Sequence, residues 1–228
     1  MIAKRKKFYT GLGMLIGFAV ILGGLFSSVF DGRNGLDFLD SLYNSISKGS
    51  AYYIPAVKEK TEPFSDMDFS ASLSLDTEIQ ADRIAVLLET AGVVVIRSDA
   101  RLTVSGSLGA VFDSCLADAG LMYRNDGESI RAKYNMDEKE VLYLWHLGLK
   151  ALEKDLNHQK RFKAANMMGT VIDKAVDLSY NYYGIESGRI SDSPGLVVFS
   201  LIFYVIYTLW FGFSILFLFE GLGVQLDQ

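Results

Sequence analysis

The chain has 228 residues, half of them hydrophobic, with 27 acidic and 22 basic side chains and a net charge of −5. Its single cysteine, Cys115, excludes an internal disulfide and cysteine-based zinc or haem attachment. Between residues 31 and 193 lie 25 of the acids and only 18 of the bases, an acidic balance that argues against nucleic acid, whose binding needs clustered Lys and Arg.

The basic tail 1–7, ending in Lys4-Arg5-Lys6-Lys7, precedes an uncharged stretch from Phe8 to Phe30. A second uncharged stretch runs from Gly195 to Phe219 behind the Ser193-Pro194 cap. Each supplies the roughly 20 apolar residues that a membrane-spanning helix needs, so transmembrane helices are predicted over 8–30 and 194–219. The first has no clear small-x-small cleavage site after its core, and reads as an uncleaved anchor. By the positive-inside rule both termini, including the tail 220–228, face the cytoplasm of an inner (plasma) membrane. Residues 31–193 are then periplasmic or extracellular. Gly13-x-x-x-Gly17, Gly24 and Ser28 share roughly one face of the first span, and Ser200, Tyr204, Tyr207 and Thr208 form a stripe on the second. Small and hydroxyl side chains are how helices associate in lipid, so these eight are the helix-packing candidates. Neither span contains an ionisable side chain of the kind that transport paths and proton relays use.

Within 31–66, Leu36, Leu39, Leu42, Tyr43 and Ile46 repeat at helical spacing. They predict a short amphipathic helix that rests on lipid headgroups or packs on the domain. Lys48 to Pro63, with Pro55 and Pro63, reads as an irregular connector. An α+β module is predicted over 67–135. A strand carries Phe69, Ala71, Leu73 and Leu75. A helix capped by Thr77 holds Ile79, Ile84, Leu87 and Leu88, and Gly92 ends it. Val93–Ile96 reads as a buried strand and 101–105 as another. Ser107 caps a helix whose Leu108, Val111, Phe112, Cys115, Leu116 and Ala119 share one face, closed by Gly120. Residues 121–134, around Asn125-Asp126-Gly127, read as a hairpin. Residues 136–184 turn helical: Val141, Leu144, Trp145, Gly148, Leu152 and Leu156 give one stripe, and Phe162, Ala165, Gly169, Ile172, Val176, Ser179 and Tyr183 another. A break near Asn157 makes this a hairpin or a bent stalk.

The stretch RLTVSGSLGAVFDSCLADAGLMYRNDGESIRAKY, with Leu108, Phe112, Leu116, Gly120, Leu121 and Tyr123 in register, resembles the short N-terminal periplasmic domain of secretins and TonB-dependent signal-transducing receptors. The resemblance covers about residues 68–134. It implies a βαββαββ fold and a docking role without catalysis.

Chemistry-bearing patterns are sparse. His146 and His158 stand twelve residues apart, too far for one helical face at i, i+4, and zinc needs three or four ligands. Cys115 falls on an apolar stripe, as a core residue does. No catalytic residue, metal site or cofactor is predicted. The fold class expected is α+β, with two transmembrane helices flanking an extracytoplasmic domain and long C-terminal helices. The function expected is a non-catalytic accessory or scaffolding subunit of a cell-envelope complex, docking other membrane proteins or a second copy of itself. The alternative is an extracytoplasmic sensor or ligand-binding module signalling through partner helices.

Overall fold

A computed structural model of the protein describes residues 2–28 and 32–224. Its elements follow as α1 (Arg5–Leu25), α2 (Gly35–Ser50), α3 (Ile54–Thr61), β1 (Asp68–Ser74), α4 (Glu78–Thr90), β2 (Val94–Ser98), β3 (Arg101–Ser107), α5 (Leu108–Tyr123), α6 (Gly127–Tyr134), α7 (Glu138–His158), α8 (Phe162–Val171), α9 (Asp177–Tyr182) and α10 (Pro194–Leu222). They form two units. One combines residues 1–50 with 187–228; the other is 51–186.

In the first unit, α1 and α10 are each long and apolar enough to cross a membrane. α1 stops at Leu25, short of the predicted Phe30. Adjacent Gly23 and Gly24 weaken the helix there, and Ser27 turns its hydroxyl onto the Gly23 carbonyl at 2.8 Å. Phe30 itself lies outside the described residues. α2 matches the predicted amphipathic helix and runs on past Ile46 to Ser50; Asn34 starts it by accepting from the Asp37 amide at 2.8 Å.

In the second unit, β1, β3 and β2 make an antiparallel sheet in that order. Phe69, Ala71 and Leu73 point inward from β1, and Leu102 and Val104 from β3. There they meet α4, α5 and α7 in a core that continues through Trp145, Leu149 and Leu152 to Met168, Val171 and Ile172. α7 and α8 pack together, joined by a reversal at 159–161 in which Lys160 takes positive φ. The predicted break near Asn157 is therefore a fold-back. A π-helical turn, Ile172–Val176, links α8 to α9.

Four expectations need correction. First, residues 121–134 are not a hairpin. α5 runs past Gly120 to Tyr123, and Asn125 (φ 63°) ends that turn. Asp126 then caps α6 by accepting from the Ser129 amide at 3.3 Å. Ile130 and Tyr134, buried four residues apart, follow the helical period; the segment's polar-apolar alternation fits both periods. The module is thus βαββ followed by helices, not βαββαββ. Second, the connector contains α3, because Pro55 sits in its first turn, where the missing amide costs nothing. Third, β2 is an edge strand with Val94 and Ile96 63% and 65% exposed, not a buried one. A three-stranded sheet covered on one face leaves every second residue outside. Fourth, Ile79 and Phe162, assigned to apolar stripes, are exposed first-turn residues.

Candidate functional site

The eight helix-packing candidates are distributed unevenly by the structure. α1 and α10 pair antiparallel: Phe8 meets Gly221, Gly11 meets Ser214 and Leu218, Met14 and Gly17 meet Trp210, and Phe18 meets Tyr207 and Phe211. On α10, Ser200, Phe203, Tyr207, Trp210, Ser214, Phe217 and Gly221 are all buried or half-buried and alternate steps of three and four, the spacing of a left-handed helix pair.

Of the candidates, Gly17, Ser200 and Tyr207 join contacts within the chain. A methyl on Gly17 would stand 3.2 Å from the Trp210 ring, so its bare surface makes room for the indole. The indole Nε1 donates to the Met14 carbonyl at 3.0 Å. Tyr207 stacks on Phe18 with ring centroids 4.2 Å apart. Ser200 is buried, donates to the Val197 carbonyl at 2.8 Å, and shares a 2.5 Å hydrogen bond with the Tyr43 hydroxyl of α2.

Gly13, Gly24, Tyr204 and Thr208 face outward. A methyl on Gly13 or Gly24 would touch nothing within 4 Å. Tyr204 is two-thirds exposed, and Thr208 donates to its carbonyl at 2.7 Å. Ser28 is exposed beyond the end of α1.

The closest approaches are at Gly11 and Gly221, which were not among the candidates. A methyl on Gly11 would lie 2.7 Å from the Leu218 amide nitrogen and 2.8 Å from the Ser214 carbonyl. One on Gly221 would lie 2.5 Å from the Phe8 Cα. Lys7 and Glu220 form an ion pair at this end, and the Gly221 carbonyl accepts from the Ala3 and Lys4 amides, both at 2.9 Å. The signal available in the sequence was the three-four spacing on α10. The Gly13-x-x-x-Gly17 pattern drew attention to the face beside the seam.

In the second unit, polar chemistry is concentrated at Asp118. Its carboxylate is fully buried and joins three helices. Tyr134 donates to Oδ2 at 2.6 Å, Trp145 Nε1 donates to Oδ2 at 2.9 Å, and Lys133 Nζ donates to Oδ1 at 2.8 Å. Burial, followed by the charge and hydrogen bond of Asp118, raises the Tyr134 phenol well above its ordinary value. Burial, and then the same carboxylate, raises the Cys115 thiol. Cys115 sits in the core and its thiol is held in the neutral form.

His146 Nδ1 lies 2.8 Å from Asp177 Oδ1 beside the π-helical turn. The adjoining cleft, lined by Leu142, Tyr143, Val176 and Tyr180 as well, holds about 180 Å3, below the ~300–1,000 Å3 of typical small-molecule sites. His158 sits on an open polar face with Lys150, Glu153, Lys154 and Asn157. Among the described residues no three His, Cys, Asp or Glu side chains converge as metal ligands would.

Two further features complete this unit. Tyr52, Tyr123 and Tyr182 pack in a row, with centroid separations of 5.0 and 6.1 Å, bringing the unit's first and last segments together. The sheet offers the other. At β1 the Gln159 and Arg161 side chains donate to the Ser70 and Asp68 carbonyls at 2.8 and 3.0 Å and close that edge. At β2 no described element pairs with the outer edge.

A scan against protein-family models, a search of curated proteins and a search of solved structures each returned no match.

Proposed function

We propose that this chain is a two-pass inner-membrane accessory subunit whose unit 51–186, held on the extracytoplasmic side, docks another membrane protein of a cell-envelope complex. The observation that carries this reading is the seam between α1 and α10. The folded unit is flanked in the chain by two spanning-length helices that pair with each other, so both its ends are tethered. The tyrosine row supports it by holding those two ends side by side. Such tethering suits bracing at the bilayer rather than reaching far from it.

The open edge of β2 is the docking surface. Exposed strand edges accept an added strand through main-chain hydrogen bonds, with alternate side chains giving specificity; Val94 and Ile96 are the alternate residues here. Chemistry-bearing side chains contribute less to this reading, because Asp118, Cys115 and His146 are engaged or buried within the fold.

The test is purification of the full-length protein from its host in mild detergent. Stoichiometric membrane partners are expected, and Val94→Lys with Ile96→Lys should release them without changing near-ultraviolet circular dichroism. Recovery of a lone monomer would contradict the reading. The sensor alternative would use the His146–Asp177 cleft, and a small-molecule thermal shift lost in His146→Ala would favour it.

A further inference from the structure

We infer that α2 lies in the plane of the membrane surface, its Leu36, Leu39, Leu42, Tyr43 and Ile46 face set into the boundary between headgroups and acyl chains. The inference rests on the two-pass reading above.

The first ground is segregation around the helix. At 100° per residue these five side chains fall within one arc, and Asp37, Asp40, Ser41, Asn44, Ser45 and Lys48 occupy the opposite one. Leu39, Leu42 and Ile46 on this arc are half-buried. Leu36 and Tyr43 are left 42% and 39% exposed. On the Ser45 side a chain segment lies against α2: the Gly188 amide donates to the Ser45 carbonyl at 3.0 Å, and a methyl on Gly49 would strike the Gly188 carbonyl.

The second ground is depth, and it names the occupant. Glu220, paired with Lys7, marks the charged end of the α1–α10 pair. Ser200 stands twenty residues up α10 from Glu220. At about 1.5 Å per residue that is about 30 Å, the thickness of the hydrocarbon core. α1 agrees: Phe18 faces Tyr207, and both α1's last residue, Leu25, and Ser200 lie two turns beyond that contact. Ser200 is bonded to Tyr43. The α2 tyrosine is therefore held at the level where the hydrocarbon ends, the position at which tyrosine rings concentrate in membrane proteins. Lipid lies against any apolar surface at that level that protein leaves open.

The third ground is charge. Asp37 and Asp40 are offset by Arg33 and Lys48, so α2 has no cationic face. Its attachment depends on apolar burial, not on anionic lipid.

The test uses the full chain in nanodiscs of zwitterionic phosphatidylcholine, with Cys115→Ala removing the native thiol. Single cysteines replace Leu36, Leu39, Tyr43, Asp37, Asp40 and Asn44 in turn, and a control replaces the exposed α10 residue Val205. Each carries a nitroxide whose accessibility to oxygen and to a water-soluble nickel chelate is measured. The ratio of oxygen to nickel accessibility is expected to be several-fold higher at 36, 39 and 43 than at 37, 40 and 44, with 205 high as well. A high ratio at 205 with no periodicity in α2 would overturn the inference and leave the two-pass reading standing. So would a shielding of 36, 39 and 43 from both reagents, which would mean that protein covers them. Nickel accessibility at 205 would overturn both.

Discussion

Asp118 is the residue on which three of the second unit's helices, α5, α6 and α7, converge. Its carboxylate accepts from Tyr134, Trp145 and Lys133 with no water-exposed surface of its own. Removing one partner of a buried charge pair costs about 3–5 kcal/mol. Lys133 is a third exposed, so solvent screens that share and the lower end applies. Asp118→Ala should therefore destabilise the fold by about 3 kcal/mol, read as a lowered midpoint of Trp145 fluorescence on denaturant unfolding. A variant as stable as the parent would show that the centre holds nothing together. The tyrosines set the alkaline limit. Burial, with smaller contributions from Tyr182, Tyr53 and Tyr52, pushes Tyr123 up to about 12, and Tyr134 is raised as well. An unfolded tyrosine ionises near 10. Above that pH the unfolded chain has lost protons that the folded one keeps, so stability falls as pH rises. The stability these phenols contribute should be constant below about pH 9 and decline between about pH 10 and 12. Tyr134→Phe should soften the decline, and a parent protein with unchanged melting temperature through pH 12 would contradict the assignment.

Among the elements, the α1–α10 pair shows how sequence patterns are used selectively. Gly11 and Gly221 face backbone at distances that admit no side chain, whereas Gly13 and Gly24 face open space. Gly11→Leu or Gly221→Leu should separate the helices, and Gly13→Leu or Gly24→Leu should not. With Cys115→Ala, cysteines placed at Phe18 and Tyr207 report this: oxidative cross-linking should fall sharply in the first two variants and persist in the others. Equal loss in all four would mean that the seam is misplaced. Much of this architecture was legible. The core faces of β1, α5 and α7 followed their periods, and Thr77 and Ser107 cap the helices that follow them. What was not legible has physical causes. Residues 121–134 carry a pattern compatible with periods of two and of nearly four, and only packing of Ile130 and Tyr134 decides between them. An apolar run such as Val93–Ile96 looks the same whether the strand is central or an edge. Asp118 looked like any helix-surface acid, because its three donors lie 15 to 27 residues away in the chain.

At the scale of the whole molecule, the proposed two-pass reading gives the ends and the middle different solvents. The terminal helices are apolar on nearly every face and expose Val198, Leu201, Ile202, Val205 and Leu209, which water would not tolerate in a single patch. Unit 51–186 closes its own core and keeps its charges outside, apart from Asp118 and Glu138. Under the proposed reading lipid would satisfy the first surface and water the second, which is the physical basis for proposing a tethered docking subunit.

The most direct test of that account is the side of the membrane on which the folded unit stands. With Cys115→Ala, single cysteines at Ile96 and at Ile2 are treated in intact cells with a membrane-impermeant thiol reagent, after the outer envelope is made permeable to it. The account predicts labelling at position 96 and none at position 2 until the inner membrane is lysed. Labelling at 2 with protection at 96, or equal labelling of both in intact cells, would contradict it.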